Sequence, residues 1–381
     1  MSVLNGRNGR NGRNGRNGRN GRNGGSSISH AGGESDFSVS AAIGSTMEGI
    51  IQSWETYIPR YITKLVENGD DPKDSPAFMQ FEAMEGFFRD HIVDYNIDAL
   101  FERLDLLDKH SIKLKGGGAD LASVVVPAMD QTLLENQMKV IRARAVERGE
   151  RLEEIVLQQT DTLSFFGAIA FLDEVRTPWT LTLLDAILRL GTYLEMPIKH
   201  SIAAPRPIDY NPKVQPIVPT PTHGSMPSGH AVEAFAVAAF LDGLCNTQEP
   251  WNIYDATSAF TGEPRMFMRL AARISENRTI AGLHFPRDNF AGAVMGLSIG
   301  EYLVNALSGA PHTGKYVCDL CDFDGSDFGI FELVNAITSN NISRSNETIG
   351  ATPPHEILTE LWLRARAELR GIKVYGGGVL V

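Results

Sequence analysis

Three stretches of this 381-residue chain hold residue types able to bind and transform an oxyanion. The first is Pro227-Ser228-Gly229-His230-Ala231, which opens the apolar run Val232 to Leu244. Proline, serine and glycine ahead of such a run mark a helix start. The first amides of a helix lack intrahelical partners and its N-terminus carries partial positive charge, so an oxyanion is stabilised there. Ser228 adds a hydroxyl donor, Gly229 lets the backbone approach closely, and His230 can move a proton. Taken alone, these residues also read as a helix cap with one incidental histidine. The second stretch runs from Lys199 to Pro207, with Lys199 near a helix end and Arg206 stiffened between two prolines. The third runs from Asn277 to Asp288. Pro286 begins a helix there and places Asp288 in its first turn. Asp288 can then take a proton from one nitrogen of His284 and leave the other as an electron donor. Arg278 supplies a planar fork for anion oxygens.

The elements that must position these residues read as helices. Ile50, Ile51, Trp54, Tyr57, Ile58 and Ile62 recur at helical spacing, and so do Phe78, Phe81, Met84, Phe88, Ile92, Ile97 and Phe101 in the stretch to Leu107. Gly116-Gly117-Gly118 is a break, and a long pattern then runs from Asp120 towards Leu157. Its second half, Lys139 to Glu154, is dense in both charge signs and reads as a solvated helix. Ser164 to Leu172 is apolar. Pro178 to Glu195 is a helix with Pro at its start and Thr177 as a cap. Pro264 to Ile280 and Pro286 to Leu307 complete the central group. Pro354 to Leu369 carries an apolar stripe of Ile357, Leu358, Leu361 and Leu363, which packing onto the body or onto a second subunit would explain equally. Period-two alternation is scarce. The expected fold is all-α, a helical bundle with long functional loops. From Asn5 to Arg22 the chain repeats Asn-Gly-Arg and has nothing to bury, so residues 1–37 are expected to be a disordered tail and 38–381 a single helical domain.

Composition bounds the function. Hydrophobic residues make up 43% and charged ones 21%, enough apolar material for a substantial core. Net charge is −11; the first 24 residues hold six arginines and no acid, so removing them leaves −17 on the remainder. An acidic body argues against nucleic acid as a partner. Ser164–Leu172, Ala231–Leu244 and Ala291–Ile299 are too short or too charged for a membrane span, and the N-terminus lacks an apolar signal core. A soluble, cytoplasmic protein is expected. Three cysteines make no disulfide framework. Cys318-Asp-Leu-Cys321 has metal or redox spacing but no second pair. The acidic loop from Cys318 to Asp327 lacks the spacing of a calcium hand and reads as solvated. No His-Glu-x-x-His or Glu-x-x-His motif is present to hold zinc or iron.

Taken together, Lys199-x6-Arg206-Pro, Pro-Ser228-Gly229-His230 and Arg278-x5-His284-x3-Asp288 resemble the three-part signature of a superfamily. It joins type 2 phosphatidic acid phosphatases, soluble bacterial acid phosphatases and vanadium-dependent haloperoxidases. The parts occur in order between residues 199 and 288, and Asn277 departs from the Ser that many members carry before the Arg. The resemblance implies that Lys199, Arg206, Ser228, Gly229 and Arg278 bind the oxyanion. It makes His284, held by Asp288, the nucleophile or the axial ligand of a vanadate cofactor, and His230 the acid–base. Vanadate would act as a Lewis acid on hydrogen peroxide, with a halide and a small organic molecule as further substrates. With a phosphate ester, His284 would attack phosphorus and His230 would protonate the leaving alcohol. His223 resembles a second histidine of bromoperoxidase-type members, where acid phosphatases usually have none; as a plain loop histidine it would carry no such meaning. The expectation is a soluble haloperoxidase acting on bromide, with a homo-oligomeric state left open and a soluble acid phosphatase as the alternative.

Overall fold

A computed structural model describes residues 76–102, 110–245, 266–350 and 354–370. The tail at 1–37 and the helical pattern from Ile50 to Ile62 lie outside the described residues.

The described residues begin with α1 (Pro76–Ala83) and α2 (Gly86–Asp98), followed by β1 (Ser111–Gly116) and β2 (Ala119–Val125). Next come α3 (Gln131–Arg144) and α4 (Arg148–Leu157), joined by a 3₁₀ turn over Ala145–Glu147, then α5 (Leu163–Ala170) and α6 (Pro178–Ile202). Then follow α7 (Gly229–Cys245), α8 (Met266–Ile280) and α9 (Pro286–Ser308). The described residues close with β3 (His312–Asp319), α10 (Ile330–Thr338), β4 (Ile342–Thr348) and α11 (Glu356–Arg370).

The fold is mostly helical but not all-α. The described residues include a four-stranded sheet in the order β1-β2-β3-β4, antiparallel at both edges and parallel between β2 and β3. The expected helix from Asp120 is therefore strand at its start. The reason is local: Ile112 and Leu114 are buried while Lys113 and Lys115 are exposed, a period-two pattern, and β-branched Val124 to Val126 follow. Gly117 and Gly118 adopt φ of +56° and +80°, so the glycine run makes the hairpin turn. The helical pattern to Leu107 is also interrupted, between α1 and α2, where Met84 and Phe88 are exposed rather than buried.

The core is built on α7 and α9, the most extensively packed helix pair, with α8 and α6 against α7. A Cβ on Gly292, Gly296 or Gly300 would collide with Ser228, Val232 or Ala239 of the facing chain, so this i, i+4 stripe lets the two backbones approach closely. Close approach at Gly292 brings the two helix N-termini together, and the Ser228 N–H donates to the Asp288 carbonyl at 2.9 Å.

One helix bears on the expectation of no membrane span. Among the described residues, α9 is long and apolar enough to cross a membrane, with mean hydropathy 1.3 over its most apolar window. That window is fully buried inside the fold, where α9 is the central core helix. Single apolar runs understated it because Asn289, Ser298 and Glu301 interrupt them without leaving the core.

The last helix, α11, packs on α6 of the same chain. Glu368 accepts from the Trp179 and Thr180 amides at 2.9 and 2.8 Å, which satisfies free donors at the α6 N-terminus. Ile357, Leu358 and Leu361 are buried as the stripe requires, but Leu363 is exposed and Trp362 is buried in its stead.

Candidate active site

Each motif supplies its residues from a different element, and the fold gathers them at one end of the α6–α7–α9 core. Lys199 lies in the last turn of α6. Its ammonium donates to the carbonyls of Pro227 and, at 3.3 Å, Ser225, so it also holds the loop leading into α7. It is fully buried, and burial first, with Arg206 adding to it, pushes its pKa down to about 8; Glu195 and Asp288 act the other way. Arg206 lies in the loop after α6 and is also buried. Its Nη1 donates to the Leu283 carbonyl at 3.0 Å, and its Nε to the His223 carbonyl at 3.1 Å. It thereby ties the second stretch to the first and the third.

His284 sits at the turn before α9. Its Nε2 lies 3.3 Å from Arg206 Nη1. A guanidinium only donates, so Nε2 presents its lone pair, and the ring proton belongs on Nδ1. Nδ1 faces Ser225 Oγ at 3.2 Å and Asp288 Oδ2 at 3.4 Å. Burial, then Arg206, Lys199 and Arg278, hold the imidazole pKa well below its usual value. A neutral imidazole with Nε2 as electron donor is the form that can act as ligand or nucleophile. Asp288 also accepts from Ser225 Oγ at 2.5 Å and from the Phe285 amide at 3.1 Å. Its pKa is raised by burial, against the pull of Ser225, Arg287 and the Phe285 amide.

Arg278, near the end of α8, is fully buried. Its Nη2 donates to Gln158 Oε1 at 2.8 Å, and its Nη1 lies 3.4 Å from His230 Nε2. His230 Nε2 lies 3.0 Å from the Gln158 carbonyl, which can only accept. The carbonyl contact is the shorter of the two and puts the proton on Nε2, which leaves Nδ1 as the basic atom of a neutral ring. His223 Nδ1 is 3.3 Å from Arg206 Nη2 and 3.2 Å from the Gly224 carbonyl. Burial, with Lys199 and Arg206 adding to it, lowers its pKa to about 4, so the ring is neutral near pH 7.

The arrangement fits a bound oxyanion. Three buried cations converge on one helix N-terminus, and Ser228 Oγ is buried with no hydrogen-bond partner among the described residues. A buried hydroxyl left without a partner is costly unless a ligand meets it. At Gly229 a Cβ would lie 2.5 Å from Glu195 Oε1, so any larger residue there must displace that carboxylate. The nine residues singled out in sequence thus converge on this end of the core. No cluster of three or more His, Cys, Asp or Glu with metal-binding geometry occurs among the described residues. Cys318 is buried in β3 and Cys321 is exposed; both are free thiols.

Sequence reading missed several partners. Ser225, which bridges His284 and Asp288, lies two residues before the first stretch and was readable as a second hydroxyl beside Ser228. Glu195 precedes Lys199 by four residues and so shares its helix face. Gln158, which joins His230 to Arg278, lies at the end of α4 and belongs to no motif.

No curated protein matches the chain. Residues 180–309 match the model of the PAP2 superfamily, which covers both phosphatases and vanadium haloperoxidases, and this segment carries all three motifs, so the match supports the superfamily read from them.

Proposed function

We propose that the protein is a vanadium-dependent haloperoxidase that oxidises a halide, bromide above all, with hydrogen peroxide. Lys199, Arg206, Ser228, the Gly229 amide and Arg278 would hold vanadate, and His284 Nε2 would ligate it. When bound, vanadate supplies a Lewis-acid centre that activates hydrogen peroxide towards halide without changing oxidation state. The chain's own part is to neutralise the oxyanion, to keep His284 neutral and oriented through Ser225 and Asp288, and to accept a proton at His230.

The observation that supports this reading over a phosphatase is His223. It places a second neutral imidazole 3.3 Å from Arg206, the residue that also touches His284. Substitution of His223 by Ala tests it. Bromide oxidation should fall at least about 100-fold, the lower end of an acid–base contribution, while vanadate affinity stays close to that of the parent. Undiminished bromide oxidation in that variant would remove the reason for preferring a haloperoxidase.

The phosphatase reading rests on the same His284. An imidazole with a free Nε2 lone pair and a backed Nδ1 is equally suited to attack phosphorus, with His230 protonating the leaving alcohol. Turnover of phosphate monoesters without vanadate-dependent bromination would favour it. A small organic molecule that accepts the oxidised halogen is part of the same proposal.

A further inference from the structure

The oxyanion cradle contains an acid that neither mechanism uses. Glu195 is buried, one turn before Lys199 on α6. Its carboxylate packs against Gly229, where both oxygens would lie 2.5–2.6 Å from a Cβ built on that glycine. It therefore sits beside the first residue of α7, at the positive end of the helix that receives the oxyanion. Lys199 on its own helix and Arg206 in the following loop are within its electrostatic reach, and Glu233 lies one turn further along α7, against Gly191 of α6. Glu233 is engaged by Thr192, whose hydroxyl donates to it at 3.1 Å.

A buried negative charge at this place opposes the cations that hold the ligand. Burial lets charges act over several ångströms with little screening. Removing one such charge changes the binding of a dianion about twice as much as that of a monoanion, because the interaction scales with ligand charge.

We propose that Glu195 sets the charge of the ligand, biasing the cradle towards singly charged oxyanions and away from dianions. This rests on the oxyanion-site reading of the preceding section and adds to it a substrate class: monoanions such as dihydrogen phosphate, dihydrogen vanadate, singly protonated phosphate monoesters and phosphate diesters.

The test uses two tetrahedral oxyanions whose charge is fixed, perrhenate as monoanion and sulfate as dianion. They are titrated at one pH near 6, where the Lys199 ammonium is charged, by calorimetric competition against inorganic phosphate. The proteins are the full chain, Glu195→Gln, which removes the charge at nearly constant shape, and Glu195→Asp, which keeps it. The ratio of sulfate to perrhenate affinity should rise at least about tenfold in Glu195→Gln, a modest fraction of what one buried charge can do at this range, and stay within about twofold of the parent in Glu195→Asp. Equal ratios in all three proteins would overturn the proposal while leaving the oxyanion site intact. A ratio that moves equally in both variants would assign Glu195 a packing role and would overturn it too. If the parent binds none of the three anions, the reading of the site itself fails. Should Glu195→Gln not fold, an unchanged ratio in Glu195→Met at matched melting temperature would overturn it equally.

Discussion

The Ser225 hydroxyl donates to Asp288 Oδ2 at 2.5 Å and stands 3.2 Å from His284 Nδ1. Ser225 comes from the loop before α7 and Asp288 from the first turn of α9, so this contact joins the two helices on which the site is built. It also fixes which nitrogen of His284 carries the proton. Replacing Ser225 by Ala should weaken oxyanion binding about 10–100-fold, the range for groups that orient a ligating histidine. Equilibrium dialysis with orthovanadate measures it. Unchanged affinity would mean that Asp288 orients His284 without help.

His284→Ala should impair oxyanion retention more than His230→Ala. His284 Nε2 is the electron pair that faces the cradle, whereas His230 Nε2 is committed to the Gln158 carbonyl. Losing His284 removes a bond to the ligand; losing His230 removes a proton acceptor and leaves the cations in place. Equal weakening, or stronger weakening in the His230 variant, would reverse the two assignments.

Oxyanion affinity should fall as pH rises through about 8. Burial lowers the Lys199 pKa to about 8, so the free protein loses this cation there, while a bound anion restores the proton. Affinity then drops by up to about tenfold per pH unit above that point. The contribution of Lys199 to folding has the opposite sign. Between about pH 8 and 10 the unfolded chain holds a proton that the folded one has released, so this contribution to stability rises with pH. Lys199→Met should abolish the alkaline loss of affinity; a variant that keeps the same profile would assign it to another group.

The three motifs were legible in sequence because they are short, local and chemically distinctive. Lys199, Arg206, Ser228, His230, Arg278, His284 and Asp288 each occur within a few residues of a proline or glycine that fixes the backbone. The central helices were legible as well, from apolar periodicity bounded by Pro178 and Pro286. What escaped notice depends on long-range packing. The parallel pairing of β2 with β3 joins Ala122 to Tyr316 across most of the chain, and neither strand announces the other. The stripe Gly292, Gly296 and Gly300 has meaning only against α7. Gln158 serves the site solely because α4 ends beside α8, where Asn277 also donates to it at 3.0 Å.

Gly229→Ala should destabilise the protein, because its Cβ would meet the Glu195 carboxylate at 2.5 Å. Shortening Glu195 to Ala in the same chain opens that space, so the double variant should recover stability relative to the sum of the single changes. A coupling energy of about 0.5–3 kcal/mol is expected for groups in direct contact. Urea unfolding of the four proteins gives it, and strictly additive effects would show that the two residues do not meet.

The central claim is tested most directly by assaying one preparation in two ways. The purified full chain, stripped of bound anions, is incubated with and without orthovanadate. It is then given hydrogen peroxide, bromide and a phenol reporter, and separately a phosphate monoester. The account predicts bromination of the phenol that appears only with orthovanadate and is lost in His284→Ala. Monoester hydrolysis by the vanadate-free protein, with no bromination under any loading, would contradict it.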